Sequence, residues 1–181
     1  LNFILQRNSL AQTLSNRSKE IVDGYGIKRI YESIYPSKYF FRFVTLKDAK
    51  SLFIWRNSTK IRSISNNKKV FEFDSHLKWL KKKLSDKNVL FLIAECESKP
   101  IGVIRFEIEN FEATISIYKV PDSPKSFGLI KKSSIWLFSN YPKIKRINAN
   151  ILKNNKVSYK AFIAAGFKPS AFKMYLDNKI Q

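Results

Sequence analysis

Cysteine is nearly absent from this chain. Cys96 is the only one in 181 residues, so an intrachain disulfide is excluded, and a reducing, cytoplasmic setting is the plain expectation. Cys96 ends the apolar run 89–95, which reads as a buried strand, so it is a packing residue before it is a nucleophile. Histidine is equally scarce: His76 stands alone, with no Cys or His partner at ligand spacing, and a zinc site is not expected. No apolar run approaches the roughly 20 residues of a membrane-spanning helix. The opening stretch 1–5 is too short for the apolar core of a signal peptide and has no basic leader before it. The chain starts on Leu1 and not on Met, as a piece or processed product of something longer would. No internal repeat or low-complexity tract is present. Acidic residues are few, 14 against 34 Lys and Arg, giving a net charge of +20. Attraction to polyanions is one reading of that excess. The other is a compositional habit of a Lys-, Asn- and Ile-rich sequence, because the Lys residues are spread along the whole chain and the one dense run, 81–83, reads as a solvated helix face. The second reading is preferred, and nucleic acid is not expected as the main partner.

A hydrophobic fraction of 44% is enough for one compact domain with a core, plus a small appendage. The clearest boundary falls near Pro36, giving a helical piece over 1–36 and a domain over 37–181. In the first piece Leu10, Leu14, Ile21 and Val22 lie at helical spacing, and Gly24 and Gly26 break the helix. Such a piece cannot bury a core alone. Beyond the boundary the patterning predicts a strand over 40–44 and a helix over 48–56. A second helix begins at Asp74 or Ser75 as N-cap. Strands follow over 89–95, 101–108 and 113–120, with a turn at Ser98–Pro100 and another at Glu109–Phe111. A helix over 127–139, a strand over 146–152, a helix over 157–165 and a closing strand over 171–176 complete an order β-α-α-β-β-β-α-β-α-β.

Three stretches carry chemistry. In Asn155–Phe167, Asn155 can cap the following helix, Ser158 and Phe162 fall one turn apart on one face, and Gly166 stands where a left-handed residue ends the helix. The spacing N-x-x-S-x-x-x-F-x-x-x-G-F resembles the corresponding segment of the GNAT superfamily of N-acetyltransferases. The element order also resembles that fold: a central mixed α/β sheet, splayed in the middle and flanked by helices, here with an N-terminal helical extension. The resemblance implies acetyl-CoA as cosubstrate, with Ile117, Tyr118, Lys119 and Val120 along the splayed strand. It implies a phosphate-binding turn over Lys125, Ser126, Phe127, Gly128, Leu129 and Ile130, with Asn155, Ser158 and Phe162 on the far side. Backbone amides at a helix N-terminus suit a diphosphate. Two departures stand out: Lys125 replaces the family's Arg or Gln, and Ile130 replaces its last small residue.

On the acceptor side, Trp55-Arg56-Asn57, Arg62, His76, Trp79 and Arg105 resemble a GNAT branch that acetylates the 4-amino group of UDP-linked amino sugars on the way to pseudaminic acid. The resemblance spans roughly 41–172, and it implies a small nucleotide-sugar acceptor held by these residues. Arginine suits phosphates by bidentate hydrogen bonds, and Trp55 could stack on a base or sugar. The segment 17–30, with its D-G-x-G turn, resembles the last helices of the UDP-sugar hydrolase of the same pathway, which implies a hydrolase domain fused ahead of this one. Phe162 stands where many GNAT enzymes place a tyrosine acid, so Ser158, Tyr159 or water is left to protonate the thiolate. His76 and Glu107 are the candidate bases. Two other functions stay open: a GNAT enzyme acting on a protein N-terminus, of the ribosomal-protein type, and an inactive GNAT-like domain that binds nucleic acid.

Overall fold

The computed structural model describes residues 39–65, 67–123, 128–152, 154–170 and 173–178. The chain divides into two compact units, Leu1–Phe40 and Phe41–Gln181. The expected helical piece over 1–36 lies outside the described residues, as do Lys125, Ser126 and Phe127.

Seven strands form one sheet in the order β1-β2-β3-β4-β5-β7-β6. They are β1 (Phe40–Phe43), β2 (Val89–Cys96), β3 (Lys99–Glu109), β4 (Glu112–Lys119), β5 (Arg146–Ala149), β6 (Lys168–Ser170) and β7 (Lys173–Asp177). A 3-10 turn (Leu46–Asp48) leads into α1 (Ala49–Asn57), followed by α2 (Thr59–Ser63), α3 (Phe73–Ser85), α4 (Leu129–Asn140) and α5 (Lys156–Ala164). The β2–β3, β3–β4, β5–β7 and β6–β7 pairs are antiparallel, and β4–β5 is parallel, joined through α4. The sheet is therefore mixed, with its parallel pair in the middle, as the element order led us to expect.

The period of two divides β2–β4 between two layers. One face carries Phe91, Ile93, Val103, Tyr118 and Val120, which pack with Ala49 and Leu52 of α1 and Leu80 of α3. The other carries Leu92, Ile104, Phe106 and Ile115, all buried, and receives α4. Gly102 makes that second contact possible, because a Cβ there would lie 2.4 Å from Leu129 Cδ2. The α1 wall is tied to the sheet by Arg42. Its Nη1 and Nη2 donate to the Asp48 carboxylate at 2.9 and 2.8 Å, and its Nε donates to Glu95 Oε1 at 2.7 Å. Burial alone would raise the Asp48 carboxyl, but hydrogen bonds from Arg42 and Thr45 outweigh it and hold the group below its usual range.

Several boundaries differ from the sequence reading. The helix expected to start at Asp74 or Ser75 starts at Phe73 with Glu72 at the cap. Tertiary contacts decide this: Phe73 meets Phe53 edge-on, with ring centroids 5.2 Å apart, and Asp74 falls in the first turn, where a carboxylate is favoured. The β2–β3 turn is Glu97-Ser98, both at positive φ, so Lys99 and Pro100 belong to β3. The single closing strand is a hairpin of two, β6 and β7. Pro169 hid β6 from the sequence reading, yet on an edge strand its missing N–H costs little. The short α2 is also new, capped by Ser58 Oγ, which accepts from Ile61 N. The expected strand over 146–152 ends at Ala149.

The β3–β4 turn places Asn110 and Phe111 at φ 47° and 64°, and Phe111 is 57% exposed. A phenylalanine in the left-handed region is strained without a packing return. Replacing it in F111G should raise stability by about 1 kcal/mol in urea unfolding, and a loss of stability would contradict the turn geometry.

Candidate active site

The site begins where a hydrogen-bonded ladder stops. β4 and β5 pair over four positions, from Glu112↔Arg146 to Ile115↔Ala149. β5 then ends, while β4 continues to Lys119 and stays paired to β3, with Ile117 opposite Ile104 and Lys119 opposite Gly102. The stretch 116–119 thus has a strand on one side only. Val120 N donates to Ile101 O on the β3 side, so by alternation Tyr118 and Ser116 also face β3. Ile117 and Lys119 turn their amides and carbonyls toward the gap that β5 has left.

The N-terminus of α4 lies over the end of the β3–β4 pair. Leu129, its first residue, rests on Gly102, the register partner of Lys119. Gly128 precedes it at φ 72°, a conformation that favours glycine. Among the described residues no side chain caps this end. The first helical bond runs from Lys132 N to Gly128 O, so the amides of 129–131 have no intrahelical acceptor. The first turn holds no acidic residue but does hold Lys131, which the helix dipole alone disfavours. Lys131 is not among the residues the sequence pointed to; the signal that marks it is a cationic side chain in the first turn of a helix.

α5, which follows β5 in the chain, is built as its sequence suggested. Asn155 Oδ1 accepts from Ser158 N at 3.0 Å. Gly166 takes φ 93°. Gly166 N donates to Ile163 O, and Phe167 N donates to Phe162 O, which together close the helix as a Schellman motif. The accompanying contact is Phe162 against Phe167, ring centroids 4.8 Å apart at 89°. Phe162 is therefore a buried packing residue. Ser158 is half-buried and Tyr159 is exposed.

The acceptor candidates divide into two groups on the α1/α3 face of the sheet. Asn57 and Arg62 hold the loop ahead of α3. Asn57 exchanges two hydrogen bonds with the backbone of Phe71, at 2.9 and 3.0 Å, and Arg62 donates to Asn57 O and Lys68 O. Trp55 packs against the core. Arg56, His76, Trp79 and Arg105 form the second group, together with Tyr118, which the sequence reading had placed with acetyl-CoA. The His76 and Trp79 rings lie 5.5 Å apart, and Arg105 Cζ sits 5.4 Å from the Trp79 centroid. Burial, then the nearby Arg56 charge, lowers the His76 imidazole. Burial raises the Tyr118 phenol, against the pull of Arg56 and Arg105, so it keeps its proton.

Glu107 neighbours this group but is committed. It accepts from Lys83, and Arg105 Nε lies 3.3 Å from its Oε1, an ion-pair distance without hydrogen-bond geometry. The Lys83 hydrogen bond, against burial and helped by the Arg105 charge, holds its carboxyl below the usual range, which makes Glu107 a weak base. From Glu107 and Lys83 an open groove of about 650 Å³ continues past Thr114 and Asn148 to Lys173. Among the described residues no cluster of His, Cys, Asp and Glu could hold a metal ion, and no helix is long and apolar enough to cross a membrane.

No protein-family model matches the chain, and no curated protein matches it in sequence. Solved structures do match it in fold. The aminoglycoside acetyltransferase AAC(6')-Ib, in complex with coenzyme A and kanamycin, aligns with a TM-score of 0.67 at 18% identity, over 78% of this chain and 96% of that one. The spermidine N-acetyltransferase from Vibrio cholerae, in complex with CoA and spermine, aligns with a TM-score of 0.68 at 17% identity, over 77% and 95%. A domain from Methanocaldococcus jannaschii DSM 2661 aligns with a TM-score of 0.67 at 22% identity, over 78% and 99%. The chain has the GNAT N-acyltransferase fold.

His76 is the only histidine, so its titration can be followed without assignment. Its ring proton shifts in NMR should give a midpoint below the ordinary 6.5; a midpoint at or above that value would contradict the buried, Arg-flanked setting.

Proposed function

We propose that this chain is an acetyl-CoA-dependent N-acetyltransferase whose acceptor is the 4-amino group of a UDP-linked amino-dideoxy sugar destined for a surface glycan. The observation that carries the first half is the unpaired edge of β4 beyond Ile115, facing the uncapped start of α4. These residues fit acetyl-CoA. The gap offers amides and carbonyls at Ile117 and Lys119 to an extended pantetheine, and the amides of 129–131 with Gly128 offer an anion seat to a diphosphate. Acetyl-CoA supplies the activated acyl group. The protein's part is to hold the thioester against preorganised donors on β4, worth a few kcal/mol at an oxyanion, and to bring the amine alongside from the α1/α3 face. Fold neighbours carry amine acceptors on the same scaffold, kanamycin in one and spermine in another.

The nucleotide-sugar half rests on the W-R-N, H-x-x-W and G-x-x-R-F resemblance. It gains support from Arg56 and Arg105, two guanidiniums near enough to repel each other, whose combined charge would also repel a polycation such as spermine. No side chain stands out as the acid: Phe162 cannot donate a proton, and Ser158 or a water is left to do so. Water is the simplest carrier of the amine's proton, since Glu107 is ion-paired. In this reading 1–36 is the tail of a UDP-sugar hydrolase domain, and acetylation takes place in the cytoplasm.

Calorimetric titration should show acetyl-CoA binding one to one, weakened roughly tenfold or more in G128V. Turnover with a UDP-4-amino-sugar should exceed that with spermidine, kanamycin or a ribosomal N-terminal peptide by about a hundredfold. Absence of acetyl-CoA binding, together with steeply salt-dependent binding to nucleic acid, would instead favour an inactive binding domain.

A further inference from the structure

The strand register defines the floor of the open groove. Val89, Glu107, Thr114 and Asn148 are partners in turn across β2, β3, β4 and β5, and all four line it. With strands roughly 4.8 Å apart the row runs about 14 Å, long enough for a sugar ring with its substituents. The pair Thr114↔Asn148 comes just before Ile115↔Ala149, where β4–β5 pairing stops. By the period of two, Thr114 shares a face with Tyr118, the face that α1 and α3 cover higher up. The opposite face is filled by Ile104, Phe106 and Ile115, all buried. A molecule that approaches the closed end of the gap from solvent thus crosses Thr114 and Asn148. The diphosphate seat lies toward the other end, over Gly102 and Lys119, which leaves the acyl end of the cosubstrate toward Ile115.

Asn148 is oriented before any ligand arrives. Its Nδ2 donates to Glu112 Oε2 at 2.7 Å. A carboxylate only accepts, so the amide nitrogen is fixed toward Glu112 and Oδ1 is turned away from it. Among the described residues no donor reaches Asn148 Oδ1, and Thr114 Oγ1 has no hydrogen-bond partner. Glu112 in turn faces Arg146 in the register, and Arg146 Nε pairs with Asp177 at 2.6 Å. The rest of the lining limits what the groove takes. It has no aromatic ring on which a base could stack. Asp86, Glu107, Glu109 and Glu112 outnumber Lys83 and Lys173, which disfavours a diphosphate. Hydroxyl, carboxamide and carboxylate groups suit a polyhydroxylated amine.

We propose that this groove seats the amine-bearing ring of the acceptor, an amino sugar. Asn148 Oδ1 accepts from the amine, Thr114 Oγ1 bonds beside it, and Glu112 is a positioning residue that acts through Asn148. None of the three was a candidate from the sequence. The fate of the bound amine rests on the acetyltransferase reading above; its binding does not.

The test is heteronuclear NMR titration of the full chain without acetyl-CoA, using glucosamine, glucose and UDP as probes. The Asn148 side-chain amide is the pair of signals that disappears in N148D. Glucosamine should shift that pair and the Thr114 backbone amide, glucose at the same concentration should shift them less, and UDP should leave them in place. N148L should weaken glucosamine roughly tenfold, and N148D, which keeps an accepting oxygen, should restore most of the affinity. E112L should weaken it too, because Asn148 is then free to turn. E112Q loses the charge but still accepts from Nδ2, so it should bind as wild type does; equal losses in E112Q and E112L would overturn the positioning role. With a UDP-4-amino-sugar as acceptor, N148L should raise its KM about tenfold and leave the acetyl-CoA affinity unchanged. Unmoved Asn148 and Thr114 signals, UDP shifting them as strongly as glucosamine, or N148L binding glucosamine as tightly as wild type would each overturn the groove assignment. Acetyl-CoA affinity decides the acetyltransferase reading separately. Its absence with glucosamine binding intact sinks that reading alone, and the converse sinks this one alone.

Discussion

The fold turns on a strand that loses one neighbour and keeps the other. β4 is held by β3 along its whole length, so it cannot collapse into the space left where β5 ends at Ala149. A free strand edge in water invites pairing with another chain. Here the edge is short and lies inside the sheet, and the start of α4 is packed against its end through Gly102. Main-chain groups that the rest of the sheet uses for cohesion thus become available to an extended ligand. Gly128 completes the arrangement by turning the chain through a left-handed residue just before the amides of α4. None of these groups is a side chain: the gap is lined by main-chain donors and acceptors.

The two faces of the sheet divide the remaining work. α4 covers one and brings its N-terminus to the gap. α1 and α3 cover the other, and their contact with it is part apolar core and part polar cluster. Arg42 matters to the second face at a distance: by joining Asp48 and Glu95 it fixes the entry to α1, and so the position from which Arg56 reaches inward. Below the cluster the character changes, from guanidiniums and aromatic rings to the mixed charges of Lys83, Glu107, Glu112 and Lys173.

Locally encoded features were legible in the sequence. The Asn155 cap and the Gly166 termination are each settled within a dozen residues, and the structure has both. The mixed sheet followed from the order of elements, because parallel neighbours need a crossover helix. Features set by tertiary contact were not legible. The start of α3 moved because Phe73 found Phe53. β6 was hidden by Pro169, which an edge strand accommodates. That Arg105 shares Glu107 with Lys83, while the charged groups bearing on Arg56 include no carboxylate, is set by tertiary placement, and a linear sequence does not carry that. Asn57 and Arg62 matched a substrate pattern by type, yet their hydrogen bonds go to a loop.

Amide hydrogen exchange at Ile117 and Lys119 tests the central claim most directly. Without ligand these two amides should exchange quickly for a strand interior, while their neighbours Ser116 and Tyr118, bonded to β3, should be protected. Saturating acetyl-CoA should slow Ile117 and Lys119 selectively. Strong protection of both amides in the free protein would mean that the β4 edge is already paired, and with that the cosubstrate would have no place to bind.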